Sequence, residues 1–329
     1  MDKRSIRTRN LDIIRKVLFS NGKNLASELV EITGFSMVTI NSLLKELIQT
    51  KEVFEGELVQ QKAGRPAIEY VLDYDTCFSL LLSIQEKKKG LCIYSELVNL
   101  NGVIKKKEEF DLHNITLEEV LFIIQNQVEA YPFVKKIGLS LPGKIHDGIV
   151  QSSWYEKFDY WPIVESVNRI TSIPFYVQND AHLITIGYAL QQKLSLAKET
   201  IVGIFHPKTS MPGITILANQ ELLEGNLSLA GEAKFFPGFL DQPLPSSDED
   251  LTNRFLTLLA FYNVALAPNA FILSSDEAVS NTVQHSIQSD LFLKKQPNRP
   301  DYYFVTEFQS CISLGLRWLI NKNSPYALE

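Results

Sequence analysis

Two polar residues at the end of an apolar run, Asn179 and Asp180, are the first candidates for chemistry in this sequence. The run before them, PFYVQND, is rich in β-forming residues, and the segment after them, AHLITIGYALQQ, is typical of a helix. A carboxylate in that place could cap the helix, bind sugar hydroxyls, or act as the general base of a kinase. The pattern of residues at this point leaves the three interpretations open.

The elements that would position these residues begin near residue 73. The segments FSLLLSI, GLCIYSEL and VIKKKEEFDL predict antiparallel strands joined by hairpins. A helix, LEEVLFIIQNQVEAY, and a strand ending in a Pro-Gly loop, VKKIGLSLPG, follow, and ETIVGIFHP and MPGITILANQELLEG repeat the opening order. The late segment LFLKKQPNRPDYYFV is predicted to be a loop between helices. We therefore predict two related α/β lobes, residues 73–185 and 186–329, with a cleft between them.

The first 72 residues have a different pattern. LDIIRKVLFSNG predicts a helix, and NLASELVEITGF predicts a second, with Leu25 and Ile32 on its apolar face. A third helix, SMVTINSLLKELIQTK, is capped by Ser36 and is expected to turn Val38 inward. VFEGELVQQKAGRPAIEYVL then predicts two strands around a polar tip. A helix, a helix-turn-helix and a two-stranded wing, in that order, indicate a winged helix-turn-helix domain over residues 1–72.

Eight residues of this domain are candidates for DNA contacts. Those at the front of the third helix, where Ile40 is also expected to be exposed, would meet base edges in a major groove. Arg65, held on an extended tip by Pro66, suits a minor groove. Small three-helix units also serve as dimerisation or packing modules, but the order of elements favours DNA binding. The candidates are Ser36, Met37, Thr39, Asn41, Lys45, Lys62, Gly64 and Arg65.

Composition sets the outer limits on function. The chain has 329 residues, 45% of them hydrophobic and 21% charged, which is ordinary for a globular protein. Its start, MDKRSIRTRN, is charged where a secretory signal would be apolar, and no run approaches the length of a membrane span, so we expect a cytoplasmic protein without a membrane partner. Three scattered cysteines offer neither a metal-type spacing nor a disulfide framework.

Several segments, in order along the chain, resemble motifs of the ROK family (repressors, open reading frames and kinases). They are ELVEITGFSMVTINSLLKELIQTKEVFE and KAGRP in the head, then IGLSLPGKIHDGIV, PFYVQNDAHLITIGYA, ELLEGNLSLAGEAKF and LAPNAFIL in the body. The chain resembles xylose-repressor-type proteins of this family, in the branch that carries an N-terminal winged helix. The resemblance implies the actin-like sugar-kinase fold, with two α/β lobes behind the winged helix-turn-helix.

The family contains both sugar kinases and sugar-responsive repressors, and the loops of this chain favour the second group. Where the kinases carry an Asp-x-Gly-Gly-Thr type loop for phosphate, this chain has SIQEKKKGLC. The second phosphate loop, GIFHPKTSMPGITI, contains the bulky His206, Pro207 and Met211. GEAKFF places Phe235 where the family's zinc site has a histidine, and the cysteines of that site are missing. We therefore expect no catalytic residues, no metal and no cofactor.

Part of the family's sugar pocket remains. By the resemblance, Asn179 and Asp180 contact sugar hydroxyls, Glu232 is the sugar-contacting glutamate, and Gly143 of the Pro-Gly loop belongs with them. Carboxylate and amide groups suit vicinal hydroxyls because they form directional hydrogen bonds. The alternative is that Asn179 and Asp180 only cap the following helix, in which case the body is a dimerisation platform.

The predicted function is a DNA-binding transcriptional regulator, a repressor of carbohydrate-related genes. Its expected partners are double-stranded operator DNA and a sugar or sugar-phosphate effector, and a homodimer or homotetramer would place two heads on a palindromic site. One alternative is a ROK-type sugar kinase with an appended DNA-binding head. Another is an interaction protein whose head binds a protein partner; salt-dependent affinity for DNA would separate it from the regulator.

Overall fold

The structure is a computed structural model that describes residues 3–60, 66–87, 90–153, 156–207, 210–239, 242–275 and 278–328. Within these ranges no helix is both long enough and apolar enough to cross a membrane. The described elements form an N-terminal head, two five-stranded sheets and the helices that cover them.

The head contains three helices and a three-stranded antiparallel sheet in the order β1-β3-β2. Its elements are α1 (Lys3–Asn21), β1 (Lys23–Leu25), α2 (Ala26–Thr33), α3 (Met37–Gln49), β2 (Val53–Val59) and β3 (Ala67–Leu72). This arrangement confirms the predicted winged helix-turn-helix. It differs from the prediction at β1, because Asn24 and Leu25 pair with the wing instead of opening the second helix.

The turn between α2 and α3 follows from two residues. Gly34 ends α2 with φ +71°, a left-handed conformation that glycine adopts without strain. Ser36 then caps α3, since its hydroxyl accepts a hydrogen bond from the Thr39 backbone N–H at 3.2 Å. Buried residues of α1, α2 and α3 form the core of the head: Leu11, Ile14, Leu18, Leu29, Ile40, Leu43, Leu44 and Leu47.

The first large sheet has the strand order β10-β7-β4-β5-β6. Its strands are β4 (Phe78–Lys87), β5 (Gly90–Asn99), β6 (Ile104–Leu112), β7 (Val134–Leu141) and β10 (Phe175–Asn179). The helices α4 (Leu117–Ala130) and α5 (Ile163–Ile170) cover one face, and a hairpin of β8 (Gly143–His146) and β9 (Ile149–Ser153) follows β7. Side chains alternate between faces, so Leu80 and Leu82 meet α4 while Leu81 points to the other side.

The second large sheet has the strand order β13-β12-β11-β14-β15. Its strands are β11 (Ile201–Phe205), β12 (Gly213–Ala218), β13 (Glu221–Leu222), β14 (Ala270–Ser274) and β15 (Asp301–Phe304). One face packs on α7 (Asp248–Leu266), α8 (Asn281–Ser289) and α9 (Leu291–Lys295). The predicted loop LFLKKQPNRPDYYFV is therefore wrong, because it contains α9 and the edge strand β15.

The two large sheets share one topology. In each, three antiparallel strands come first, and two later strands then add parallel to the first strand. In each, a helix follows the last strand directly: α6 (Asp180–Gln191) after β10 and α10 (Phe308–Asn321) after β15. This confirms the prediction that the second half repeats the first.

Helices α6 and α10 lie between the two sheets. Their buried side chains share one core with Leu81 of the first sheet and Ile201 of the second. The helices approach so closely that a Cβ on Gly187 would collide with the Cys311 carbonyl oxygen, and one on Gly315 with the Leu183 carbonyl oxygen. The predicted boundary between residues 185 and 186 falls inside α6, which packs on both sheets; the domain boundaries stay predictions.

The C-terminal segment returns to the head. The ring of Tyr326 packs edge-on against Phe19 of α1, with ring centroids 5.5 Å apart. Its hydroxyl donates to a Glu52 carboxylate oxygen at 3.4 Å, and the same carboxylate accepts two hydrogen bonds from Arg15 at 2.7 and 2.8 Å. The segment after α10 therefore contributes to the packing of the N-terminal head.

Candidate functional site

A cleft of about 740 Å³ opens between the two large sheets. It brings together all four residues proposed from the sequence as effector ligands. Gly143 comes from the start of β8, Asn179 and Asp180 from the junction of β10 with α6, and Glu232 from the segment after β13. The parallel pairing of β7 with β10 places Leu141 beside Asn179, so the loops after both strands meet at one edge of the sheet. Their role as effector ligands stays a prediction.

At the junction of β10 with α6, Asn179 and Asp180 have different surroundings. Asn179 is the N-cap of α6: its side-chain oxygen accepts from the Ala181 backbone N–H at 3.0 Å, and its amide donates to the Gly143 carbonyl at 3.1 Å. Asp180 also accepts from Ala181 N–H, at 2.8 Å, through one carboxylate oxygen. Asn179 is thus tied to the protein through both ends of its amide, while the half-buried Asp180 lines the cleft.

The sequence analysis missed Lys144, a buried cation in the same cleft. Its ammonium group donates to the Ala230 carbonyl at 3.0 Å and lies 3.3 Å from His182 Nε2. Burial lowers the pKa of Lys144, and the carboxylates of Glu232 and other nearby acids oppose that shift. The sequence carried no local signal of this burial, because a lysine is ordinarily expected at the surface.

Lys144 belongs to a hydrogen-bonded chain that crosses between the lobes. His182 of α6 is fully buried, and its Nδ1 lies 2.9 Å from the Thr215 hydroxyl on β12. Burial lowers the pKa of His182 well below 6.5, and the charge of Lys144 lowers it further. His182 is therefore neutral at pH 7, and Lys144, His182 and Thr215 join β8, α6 and β12 through polar groups.

The segment after β13 forms one wall of the cleft. It reaches the first lobe through Glu224, which accepts from Gln178 at 3.2 Å, and through Lys234, which donates to Ser152 at 2.6 Å. Gly231, at φ +77°, allows the segment to pass close to the backbone of Ile214, where a Cβ would collide. These contacts hold Glu232 over the cleft.

The cleft lining also contains a cluster of apolar side chains. Phe205 at the end of β11 and Phe308 at the start of α10 pack with ring centroids 5.7 Å apart. Ile312, Met211 and Pro207 line the cleft as well. The cleft therefore combines polar residues from both lobes with apolar residues that come mainly from the second lobe.

The head provides a second candidate surface along α3. Met37 and Asn41, which were expected to be exposed and to meet base edges, are exposed, and so is Lys45, another candidate for a DNA contact. Ser36 is also exposed, but its hydroxyl caps the helix and lies 2.9 Å from the Thr39 hydroxyl. Thr39 is half exposed.

Two expectations for α3 are wrong. Ile40 is fully buried in the head core, although we expected it on the DNA-facing side. Val38 is 81% exposed, although we expected it on the apolar face. Successive residues of an α-helix are rotated by about 100°, so Val38 and Ile40 point in different directions. The buried side chains of α3 are Ile40, Leu43, Leu44 and Leu47. Ile32 of α2 is likewise exposed rather than buried.

The predicted contacts on the wing, Lys62, Gly64 and Arg65, lie outside the described residues, as does the tip that carries them. The flanking strands β2 and β3 are present and pair as expected. Within the described ranges no group of three or more His, Cys, Asp or Glu side chains is arranged to hold a metal ion.

Comparisons with known proteins support this architecture. No family model matches the chain. The DNA-binding transcriptional repressor Mlc of Escherichia coli (strain K12) is 24% identical over 198 residues, which are 56% of this chain and 48% of the repressor. This chain therefore matches about half the length of that curated relative.

Among solved structures, a ROK family transcriptional regulator described as a homolog of E. coli Mlc matches over 96% of both chains, with a TM-score of 0.65 and 16% identity. The chain therefore shares the fold of this regulator. A ROK family glucokinase from Streptomyces griseus, solved with glucose and AMPPNP, covers 73% of this chain and 98% of its own, with a TM-score of 0.55 and 16% identity. A match over 96% of the chain must include most of the head, so the likeness to the regulator extends beyond the kinase-like body.

Proposed function

We propose that this protein is a DNA-binding transcriptional regulator, a cytoplasmic repressor of carbohydrate-related genes, whose cleft binds a sugar or sugar phosphate. The observation that carries the proposal is the union, in one chain, of a ROK-fold body and a head whose α3 presents an exposed polar face. The nearly full-length likeness to a ROK regulator and the partial identity with a repressor support it.

The charge of α3 suits a nucleic acid. Its one acidic residue, Glu46, forms an ion pair with Arg7 of α1, with a hydrogen bond of 2.7 Å. Lys45 remains exposed on the outer face. A helix that carries an exposed cation and a neutralised acid is attracted to phosphate at its margins while its front meets the bases.

A homodimer would present two such heads to a palindromic operator. The effector would act through the cleft, because its walls come from both lobes and are joined by Lys144–Ala230, Lys234–Ser152 and Gln178–Glu224 hydrogen bonds. A sugar that binds Asp180 and Glu232 in one closure state of the cleft better than in the other would shift the protein toward that state.

The test is fluorescence-anisotropy titration of the full chain with DNA from around its own gene, at fixed salt, with and without a panel of sugars and sugar phosphates. We expect selective binding that one compound weakens. Lys45→Ala should weaken binding on all sequences and reduce the salt slope by about one, whereas Lys198→Ala, an exposed lysine of the body, should change neither. Absence of selective DNA binding would reject the proposal.

The second candidate is a sugar kinase with an appended head. Asp180 in the cleft and the likeness to a glucokinase favour it. Against it, Phe205, Phe308 and Met211 in the cleft lining are poor ligands for the charged phosphates of a nucleotide. A coupled assay of ADP release over a panel of hexoses tests it directly, and turnover that Asp180→Asn abolishes would favour the kinase.

A further inference from the structure

Val38 is the most exposed large apolar side chain of the described chain, at 81%. It is the second residue of α3. Leu47, nine positions later and therefore about 180° away around the helix, is fully buried in the head core. Val38 thus lies at the centre of the face that α3 turns away from its own domain.

Most neighbours of Val38 on this face are polar. Lys45, seven positions later, lies on the same side of the helix two turns away, and Asn41 and Ser42 flank the line between them. A hollow beside Val38 is lined by Ile6, Arg7 and Asn10 of α1. The short, stiff side chain of Val38 therefore stands among hydrogen-bonding and cationic groups, with the exposed apolar Met37 and Ile6 beside it.

One apolar group in the major groove of DNA is matched to such a side chain, the C5-methyl group of thymine. We propose that Val38 reads a thymine methyl group and so requires a T·A pair at one position of each operator half-site. This inference rests on the proposed DNA-binding function and adds a base preference to it. The position fits, since helix-turn-helix proteins place the first turn of this helix nearest the base edges.

A second copy of the chain is the other occupant to consider, because an exposed valine also suits a protein contact. The charges around Val38 favour DNA. The acid of α3 is paired with Arg7, Lys45 is exposed, and the helix N-terminus beside Val38 carries partial positive charge. A polyanion complements this face, whereas an identical copy would bring the same positive groups together.

The experiment uses the full-length protein. Binding sites are first selected from a random duplex library, and each thymine of the selected half-site is then replaced by deoxyuridine, which keeps the base pair but lacks the methyl group. Affinities are measured by anisotropy for the unchanged protein, for Val38→Ala and for Leu291→Ala, a matched exposed apolar residue of the body. Val38→Ala should fold normally because its side chain makes little contact with the core.

We expect one deoxyuridine, placed in one half-site only, to weaken binding of the unchanged protein about fourfold, the effect of losing one buried methyl group. The same replacement should change the affinity of Val38→Ala by less than about twofold, and Leu291→Ala should behave as the unchanged protein. Selected sites that tolerate deoxyuridine at every position would overturn the inference and leave the DNA-binding function in place. The inference would also be overturned if the deoxyuridine effect persisted in Val38→Ala. It would be overturned as well if Val38→Ala changed the oligomeric state while the unchanged protein showed no deoxyuridine effect. Failure to select any site would reject both proposals together.

Discussion

Helices α6 and α10 occupy equivalent places in the two lobes and present different chemistry to the same cleft. Each follows the last strand of its sheet and carries a glycine seven residues after its first residue, Gly187 in α6 and Gly315 in α10. α6 begins with the capping Asn179 and with Asp180, whereas α10 is preceded by Glu307, whose side chain forms no cap, and presents Phe308 and Ile312. The two lobes thus repeat one backbone arrangement, which places the first residues of α6 and of α10 at the cleft. The identity of those first residues then decides whether each helix presents polar or apolar side chains there.

The largest expected effect concerns what the two helices share. Gly187→Ala and Gly315→Ala should each lower the free energy of unfolding by about 3 kcal/mol, because the new methyl group meets the backbone of the partner helix and outweighs the better helix propensity of alanine. Urea denaturation measures this, with Gln288→Ala on the exposed face of α8 as the control. If only one glycine variant were destabilised, the two helices would not be equivalent in packing.

The next effect concerns what differs at the cleft. Asp180→Asn should weaken binding of the effector sugar by at least about tenfold, since a charged acceptor is lost, and should leave DNA affinity without sugar unchanged. Isothermal titration with the sugar identified from the DNA-binding screen gives the affinity. Phe308→Leu, at the equivalent place in α10, should change it by less than about threefold. An equal loss of sugar affinity in Asp180→Asn and Phe308→Leu would contradict the idea that the sugar binds mainly to the polar residues of the cleft.

His182 supplies a pH dependence that α10 lacks at its equivalent position, Ser310. Its pKa is lowered in the folded protein, so the unfolded chain binds a proton first as the pH falls below 6.5. Stability should therefore be constant above pH 6.5 and decrease below it, by up to about 1.4 kcal/mol per pH unit from this group. Urea denaturation at pH 7.5 and 5.5 should show a smaller decrease for His182→Gln. An unchanged decrease would assign the effect to other groups, such as His206, whose pKa burial lowers to about 4.

The smallest expected difference concerns the caps. Asn179→Ala should destabilise the protein by about 1 kcal/mol, because α6 loses its N-cap. Glu307→Ala should change stability by less than about 0.5 kcal/mol, because its exposed side chain caps nothing. Thermal unfolding of both variants at pH 7.5 provides the comparison, and a large loss on replacing Glu307 would show that α10 depends on it in another way.

Most of the fold was predictable because it follows from apolar periodicity. The antiparallel opening strands, the repeat of the second half and the winged head all depend on patterns within single segments. The errors lie where pairing partners are distant in sequence. Strand β1 is three residues long and is defined by pairing with β3, and β15 is an edge strand beside β14 with little pattern of its own.

The site was predictable where a motif marks it. Asn179, Asp180, Gly143 and Glu232 were found by resemblance and do line one cleft. Lys144 was missed because its burial depends on the Ala230 carbonyl, which lies 86 residues away in the chain. On α3, the expected environments of Val38 and Ile40 were exchanged; the two residues are two positions apart and point about 200° apart around the helix.

Tyr326, which follows α10, packs on Phe19 of α1. The segment after the C-terminal helix therefore contacts the N-terminal helix. α10 starts at Phe308 in the cleft and ends five residues before Tyr326. α10 thus connects the cleft with the segment that packs on the head, so a change in the tilt of this helix would alter the geometry at both ends. We therefore expect a truncation that removes Tyr326 to loosen the packing of the head.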